Sequence, residues 1–119
     1  VTIGDGSFMY NPVVPTLALS DEQNLPLLIL VFNNSQYAVM KHFHKRFYPD
    51  GAAVGDDDYY GVNIKGPNYE EAAAMIGGYS ERVDDPALLP SAMERAAASV
   101  RAGKTAILNV IMPGEGGVR

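Results

Sequence analysis

The sequence has no cysteine. Disulfides, thiolate metal sites, iron–sulfur clusters and cysteine nucleophiles are therefore excluded. It also lacks a cationic surplus: 9 Lys and Arg against 14 Asp and Glu leave a formal net charge of -5. Nucleic-acid surfaces and polybasic membrane contacts both need a cationic footprint, so neither is expected. No apolar run is long enough to cross a bilayer, and the longest, Leu25 to Phe32, is interrupted by Pro26. The chain opens Val1-Thr2-Ile3-Gly4, without a basic leader and inside an apparent strand, as expected of a fragment or a processed piece. A disulfide-free soluble domain suits the cytoplasm.

What is present fits one domain. The 119 residues are 47% hydrophobic and 19% charged, an ordinary globular balance with enough apolar surface for a single core.

Strand and helix patterns alternate along the chain. Val1-Thr2-Ile3 reads as a strand running into Gly4-Asp5-Gly6. A helix is predicted from Asn11 to Gln23, with Asn11 as N-cap and Pro12 at the first helical position. Leu27 to Phe32 has no polar alternation and reads as a parallel strand buried on both faces. A helix over Gln36–Phe47 follows, with Val39, Met40, Phe43 and Phe47 on one face. Tyr48 to Pro67 is loop-like. A helix at Tyr69–Ile76, a strand at Tyr79–Val83, a helix at Pro86–Ala102 capped by Asp85, and a strand at Thr105–Ile111 complete the pattern. Such alternation predicts an α/β domain: three layers, with a mainly parallel sheet flanked by helices. The domain is expected to span residues 1–113, with 114–119 as a flexible tail.

Asp5 and Asn34 each fall at the carboxyl end of a strand, the edge where such sheets bind ligands. Glycines on both sides of Asp5 let the backbone turn and approach a ligand closely. The carboxylate is a hard oxygen donor of the kind Mg²⁺ prefers, and Asn34 adds an amide oxygen. The helix after Asn34 would aim its N-terminus at the same place, which suits a diphosphate. Taken singly, a Gly-Asp-Gly is usually a turn and an Asn-Asn usually a helix cap; the two together on neighbouring strand ends are far more specific.

Gly4-Asp5-Gly6 and, after residues 7–32, Asn33-Asn34 resemble the binding motif of thiamine diphosphate (ThDP) enzymes. Gly4-Asp5-Gly6-Ser7-Phe8-Met9, Asn33-Asn34-Ser35-Gln36-Tyr37 and Phe47-Tyr48 look most like the acetolactate synthase branch of the pyruvate-decarboxylase-like family. The resemblance runs to about Pro113. It implies a ThDP-binding fold lacking its first strand–helix units.

It further implies ThDP and Mg²⁺ as cofactors. Asp5, the Asn34 side chain and the Gln36 backbone carbonyl would be the metal ligands. Gly4, Gly6, Ser7, Tyr37 and the backbone around Val39 would line the diphosphate. Met40 and Phe43 match positions facing the substrate pocket, although core packing is an equal alternative for both. The implied activity is decarboxylation of a 2-oxo acid followed by carboligation, with a simple decarboxylase or an aldehyde lyase as the alternative. The implied partner is a pyrimidine-binding domain from the same or a neighbouring subunit of a homo-oligomer, which carries the activating Glu. No segment here resembles that domain, so the isolated chain is expected to bind one end of the cofactor without turnover.

The sequence departs from the family pattern in three places. The Asp5–Asn34 stretch is longer around Pro12–Pro15. Phe43 stands where synthases often have Trp, and Met40 where some decarboxylases carry a catalytic Glu.

Other candidates are weaker. His42 and His44 lie two apart on a helix and do not share a face. Asp56-Asp57-Asp58 lacks calcium-loop spacing and reads as a solvated loop. Glu70, Glu71 and Glu81 are expected on exposed faces.

Overall fold

The computed structural model describes residues 1–114. Four strands form one wholly parallel sheet: β1 (Thr2–Gly4), β2 (Leu28–Asn33), β3 (Tyr79–Val83) and β4 (Ala106–Ile111), in spatial order β1-β2-β4-β3. Parallel neighbours need crossovers, and these place helices against the sheet. On one face lie α1 (Asp5–Tyr10), α2 (Val13–Glu22) and the 3₁₀ helix Tyr69–Ile76, enclosing Phe8, Leu17, Ile29, Val31, Tyr69, Ala73 and Ile107. Between β2 and that 3₁₀ helix the chain forms α3 (Ala38–Phe47) and the short α4 (Ala52–Gly55). On the other face, α5 (Leu89–Arg101) covers Val83, Ala106, Leu108 and Val110 with Ala92 and Ala96. The three-layer α/β architecture expected from the pattern is the one observed.

Local departures have physical causes. The helix predicted from Asn11 to Gln23 is α2, starting at Val13, and an unpredicted short helix, α1, precedes it from Asp5 directly after β1, the two separated at Asn11-Pro12. Asn11 closes the first helix, its N–H and Nδ2 both donating to the Ser7 carbonyl at 3.2 and 2.7 Å. Pro12 then precedes α2 rather than opening it. Asn24 has a φ of +53°, a conformation that asparagine tolerates better than most residues, and it turns the chain out of α2.

The strand buried on both faces is β4, not β2. Every residue from Ala106 to Val110 is buried, whereas Leu28 and Leu30 are half-buried and Phe32 is exposed. β2 and β4 are both interior strands, but α5 packs chiefly on β3 and β4 and leaves the matching face of β2 only partly covered.

The segment Tyr48–Pro67 is not wholly loop, since α4 lies within it. The Asp85 carboxylate accepts the Ala87 N–H at 2.9 Å, capping a 3₁₀ turn at Pro86–Leu88 that leads into α5. Of the predicted tail, residues 115–119 lie outside the described residues. Gly114 is packed so close to the Asn34 carbonyl that a β-carbon there would sit 3.3 Å from it.

Glu70 corrects an expectation of exposure. It is 8% exposed, and the Asn109 Nδ2 donates to its Oε2 at 2.7 Å across the core. Glu81 is half-buried and bound by Arg95 and Tyr79. Glu71 is exposed as predicted. Among the described residues, no helix is long and apolar enough to cross a membrane.

Candidate functional site

The register of the first two strands brings the two motifs together. Gly4 pairs with Phe32, so Asp5 and Asn33 leave adjacent strands side by side at the carboxyl edge. Asp5 begins α1 and is 3% exposed. Burial pushes its carboxyl above the ordinary carboxylate range, against the opposing pull of backbone N–H groups of Gly6, Ser35, Asp5 and Gln36. Two of those four amides belong to the Asn motif, so the strand-end loops meet at this carboxylate.

The Asn33–Gln36 turn is built by its own side chains. The Asn33 Oδ1 accepts the Ser35 N–H at 3.0 Å and the Ser35 hydroxyl at 3.2 Å. The Asn34 Oδ1 accepts the Gln36 N–H at 3.1 Å. Such Asx turns hold Ser35 at a φ of +56°, where a non-glycine residue is strained. An isolated antiparallel bridge fixes the turn from outside: the Tyr37 N–H donates to the Val62 carbonyl and the Ile64 N–H to the Ser35 carbonyl, both at 2.8 Å. The Gln36 Nε2 also donates to the Asn63 Oδ1 at 3.3 Å.

The glycines of Gly4-Asp5-Gly6 serve different ends. Gly4 has an ordinary extended conformation, and a β-carbon there would meet nothing within 4 Å, so its surface is open to close approach. At Gly6 a β-carbon would fall 2.7 Å from Cδ1 and Cε1 of Tyr37, so glycine is what admits that ring. Ser7 is exposed on α1. Burial, then Tyr10 and Asp5, raise the Tyr37 phenol above its ordinary range.

The donor set fits a hard cation. The Asp5 Oδ2 is buried without a hydrogen-bond partner, and a buried carboxylate oxygen without one is costly until a cation or donor meets it. The Asn34 Oδ1 has a second lone pair beyond the turn it closes. Among the described residues no group of three His, Asp or Glu gathers to hold a metal. A cation here would therefore draw on amide and carbonyl oxygens and on a ligand's own oxygens, as Mg²⁺ commonly does.

Helix α3 presents Val39, Met40, Phe43 and Phe47 outward. Met40 is 51% and Phe43 44% exposed, so core packing within this chain is not their role. The inward side carries Lys41 and His44 against the buried Tyr59, with the Lys41 Nζ 4.9 Å from that ring's centre. His44 is thus half-buried rather than solvated, while His42 is exposed; the His44 Nδ1 lies 2.9 Å from the Met40 carbonyl. The Asp56–Asp58 loop is exposed, and Asp57 pairs with Lys41 at 3.3 Å.

Sequence reasoning missed the strained Ser35 and the Val62–Ile64 segment that braces it. No local pattern marks either, because the first follows from side-chain acceptors and the second from pairing across a loop.

Comparison with known proteins agrees with this geometry. In the solved benzoylformate decarboxylase of Polynucleobacter necessarius, a matching region superposes with a TM-score of 0.68 at 20% identity. The match covers 95% of this chain and 19% of that one, and at this identity it is a likeness of fold. No curated protein matches the sequence. Residues 1–110 match the family described as thiamine pyrophosphate enzyme, C-terminal TPP binding domain, whose cofactor is ThDP with Mg²⁺ as its usual partner, and the chain belongs to that family.

Proposed function

We propose that this chain holds the diphosphate end of ThDP through Mg²⁺, within an enzyme that decarboxylates a 2-oxo acid and joins the product to a second carbonyl compound, as acetolactate synthases do. The observation that carries the reading is the buried, unpartnered Oδ2 of Asp5 beside the Asn34 turn. Asp5, the Asn34 Oδ1 and the Gln36 backbone carbonyl hold the metal. Gly4, Gly6, Ser7, Tyr37 and the backbone at Val39 line the diphosphate. When bound, ThDP supplies the electron sink for decarboxylation. The chain's own part is to fix one end of the cofactor and exclude bulk from the strand edge, while Met40 and Phe43 face the substrate side.

A pyrimidine-binding domain, from the same or a neighbouring subunit of a cytoplasmic homo-oligomer, completes the centre. Residues 1–113 form the unit that does the binding. The chain alone, spanning 19% of the superposed decarboxylase, binds without turning over.

Two measurements test this. Asp5→Ala should abolish Mg²⁺-dependent ThDP binding while Asp57→Ala leaves it nearly intact; equal losses would sink the site assignment. Product analysis with pyruvate should yield acetolactate, and acetaldehyde alone would favour the simple decarboxylase.

A further inference from the structure

Tyr69 is 2% exposed, and its hydroxyl is buried with no hydrogen-bond partner in the protein. Its ring is clamped edge-on by Phe8, three residues beyond Asp5 on α1, at a centroid distance of 5.7 Å. Gly66 makes room for the hydroxyl, since a β-carbon at that position would collide with the phenolic oxygen. Gly66 in turn follows the Val62–Ile64 segment that is paired to the Asn34–Gln36 turn. The hydroxyl thus sits where α1, the bracing segment and the 3₁₀ helix converge. Burial raises the Tyr69 phenol above its ordinary range, and the Asp5 carboxylate and Tyr37 raise it further. Asp5 offers the second unpartnered oxygen of the same neighbourhood. The Asn109 Nδ2 donates to Glu70, while its Oδ1 is a further buried oxygen without a hydrogen-bond partner.

A neutral phenol is both donor and acceptor, and it is costly to bury with neither role used. We infer that Tyr69 is a positioning residue of this site, its hydroxyl donating a hydrogen bond into the oxygen shell of the cation that Asp5 holds. The inference rests on the Mg²⁺–diphosphate reading above. Its chemistry is that of an outer partner that orients a metal's ligands, where substitution commonly costs about 10-fold or more in affinity.

The test is Tyr69→Phe in the native protein, which keeps the ring and removes only the hydroxyl. ThDP affinity with Mg²⁺, by titration calorimetry, should fall about tenfold. The ligand-free melting temperature should hold or rise, because an unpartnered buried hydroxyl has gone. With Mn²⁺ in place of Mg²⁺, the zero-field splitting of its EPR spectrum should change. Unchanged affinity and spectrum, with Asp5→Ala still abolishing binding, would overturn the role of Tyr69 alone. A lower melting temperature matching the affinity loss would also overturn it, as that reports a damaged fold. If Asp5→Ala binds ThDP like the unaltered protein, the underlying site assignment fails as well.

Discussion

The Tyr37 ring lies against Gly6 so closely that a single added methyl would sit 2.7 Å from two of its carbons. One motif is therefore shaped by the other: Gly6 follows β1, Tyr37 follows β2, and each excludes larger neighbours.

Gly6→Ala should force Tyr37 away and disturb the Asn34–Gln36 turn. Overpacking of this kind costs about 1–3 kcal/mol, measurable by chemical denaturation. Gly4→Ala meets nothing within 4 Å and should leave stability unchanged. If the open surface at Gly4 receives the diphosphate, that substitution should still weaken ThDP binding. Equal stability losses from the two would contradict the steric distinction.

Asp5 is held above its ordinary pKa by burial, so its ionised form opposes folding and its contribution falls as pH rises through the raised value. Asp5→Asn should accordingly raise the ligand-free melting temperature at neutral pH. The same variant should lose the stabilisation that ThDP with Mg²⁺ gives the unaltered protein. Scanning calorimetry with and without cofactor checks both halves.

Asn33 and Asn34 should separate in their effects. Asn33 is buried and accepts two hydrogen bonds from Ser35, so Asn33→Ala should cost about 1–3 kcal/mol of folding stability. Asn34 is half-buried and closes a single bond, so Asn34→Ala should act mainly on cofactor affinity. Denaturation and binding titrations on both variants would expose a failure of this division.

Glu81 is held below the ordinary carboxylate value of 4.5, first by hydrogen bonding from Arg95. A depressed folded pKa contributes stability above the unfolded value and loses it as pH falls through the lowered one. Glu81→Gln should therefore lower the melting temperature slightly at neutral pH, Arg95 being half exposed. That difference should close in acid. A gap that persists at low pH would show that packing, not charge, is responsible.

The sequence by itself determined the α/β class, the parallel sheet implied by strand–helix alternation, and the placing of Asp5 and the Asn turn at neighbouring strand ends. These are local matters: apolar runs, capping residues and turn residues act over a few positions, and strand ends in such sheets gather ligands. It did not determine that β4 rather than β2 would be the fully buried strand, because burial depends on which interior strand ends up beneath α5. Nor could it place Glu70 in the core or leave Met40 and Phe43 outside it, since helical periodicity marks a face without saying what that face meets. The long-range contacts of the site, Tyr37 on Gly6 and Tyr69 against Phe8, were decided only by tertiary structure. They join residues distant in sequence through close packing, and close packing leaves no periodic trace in the chain.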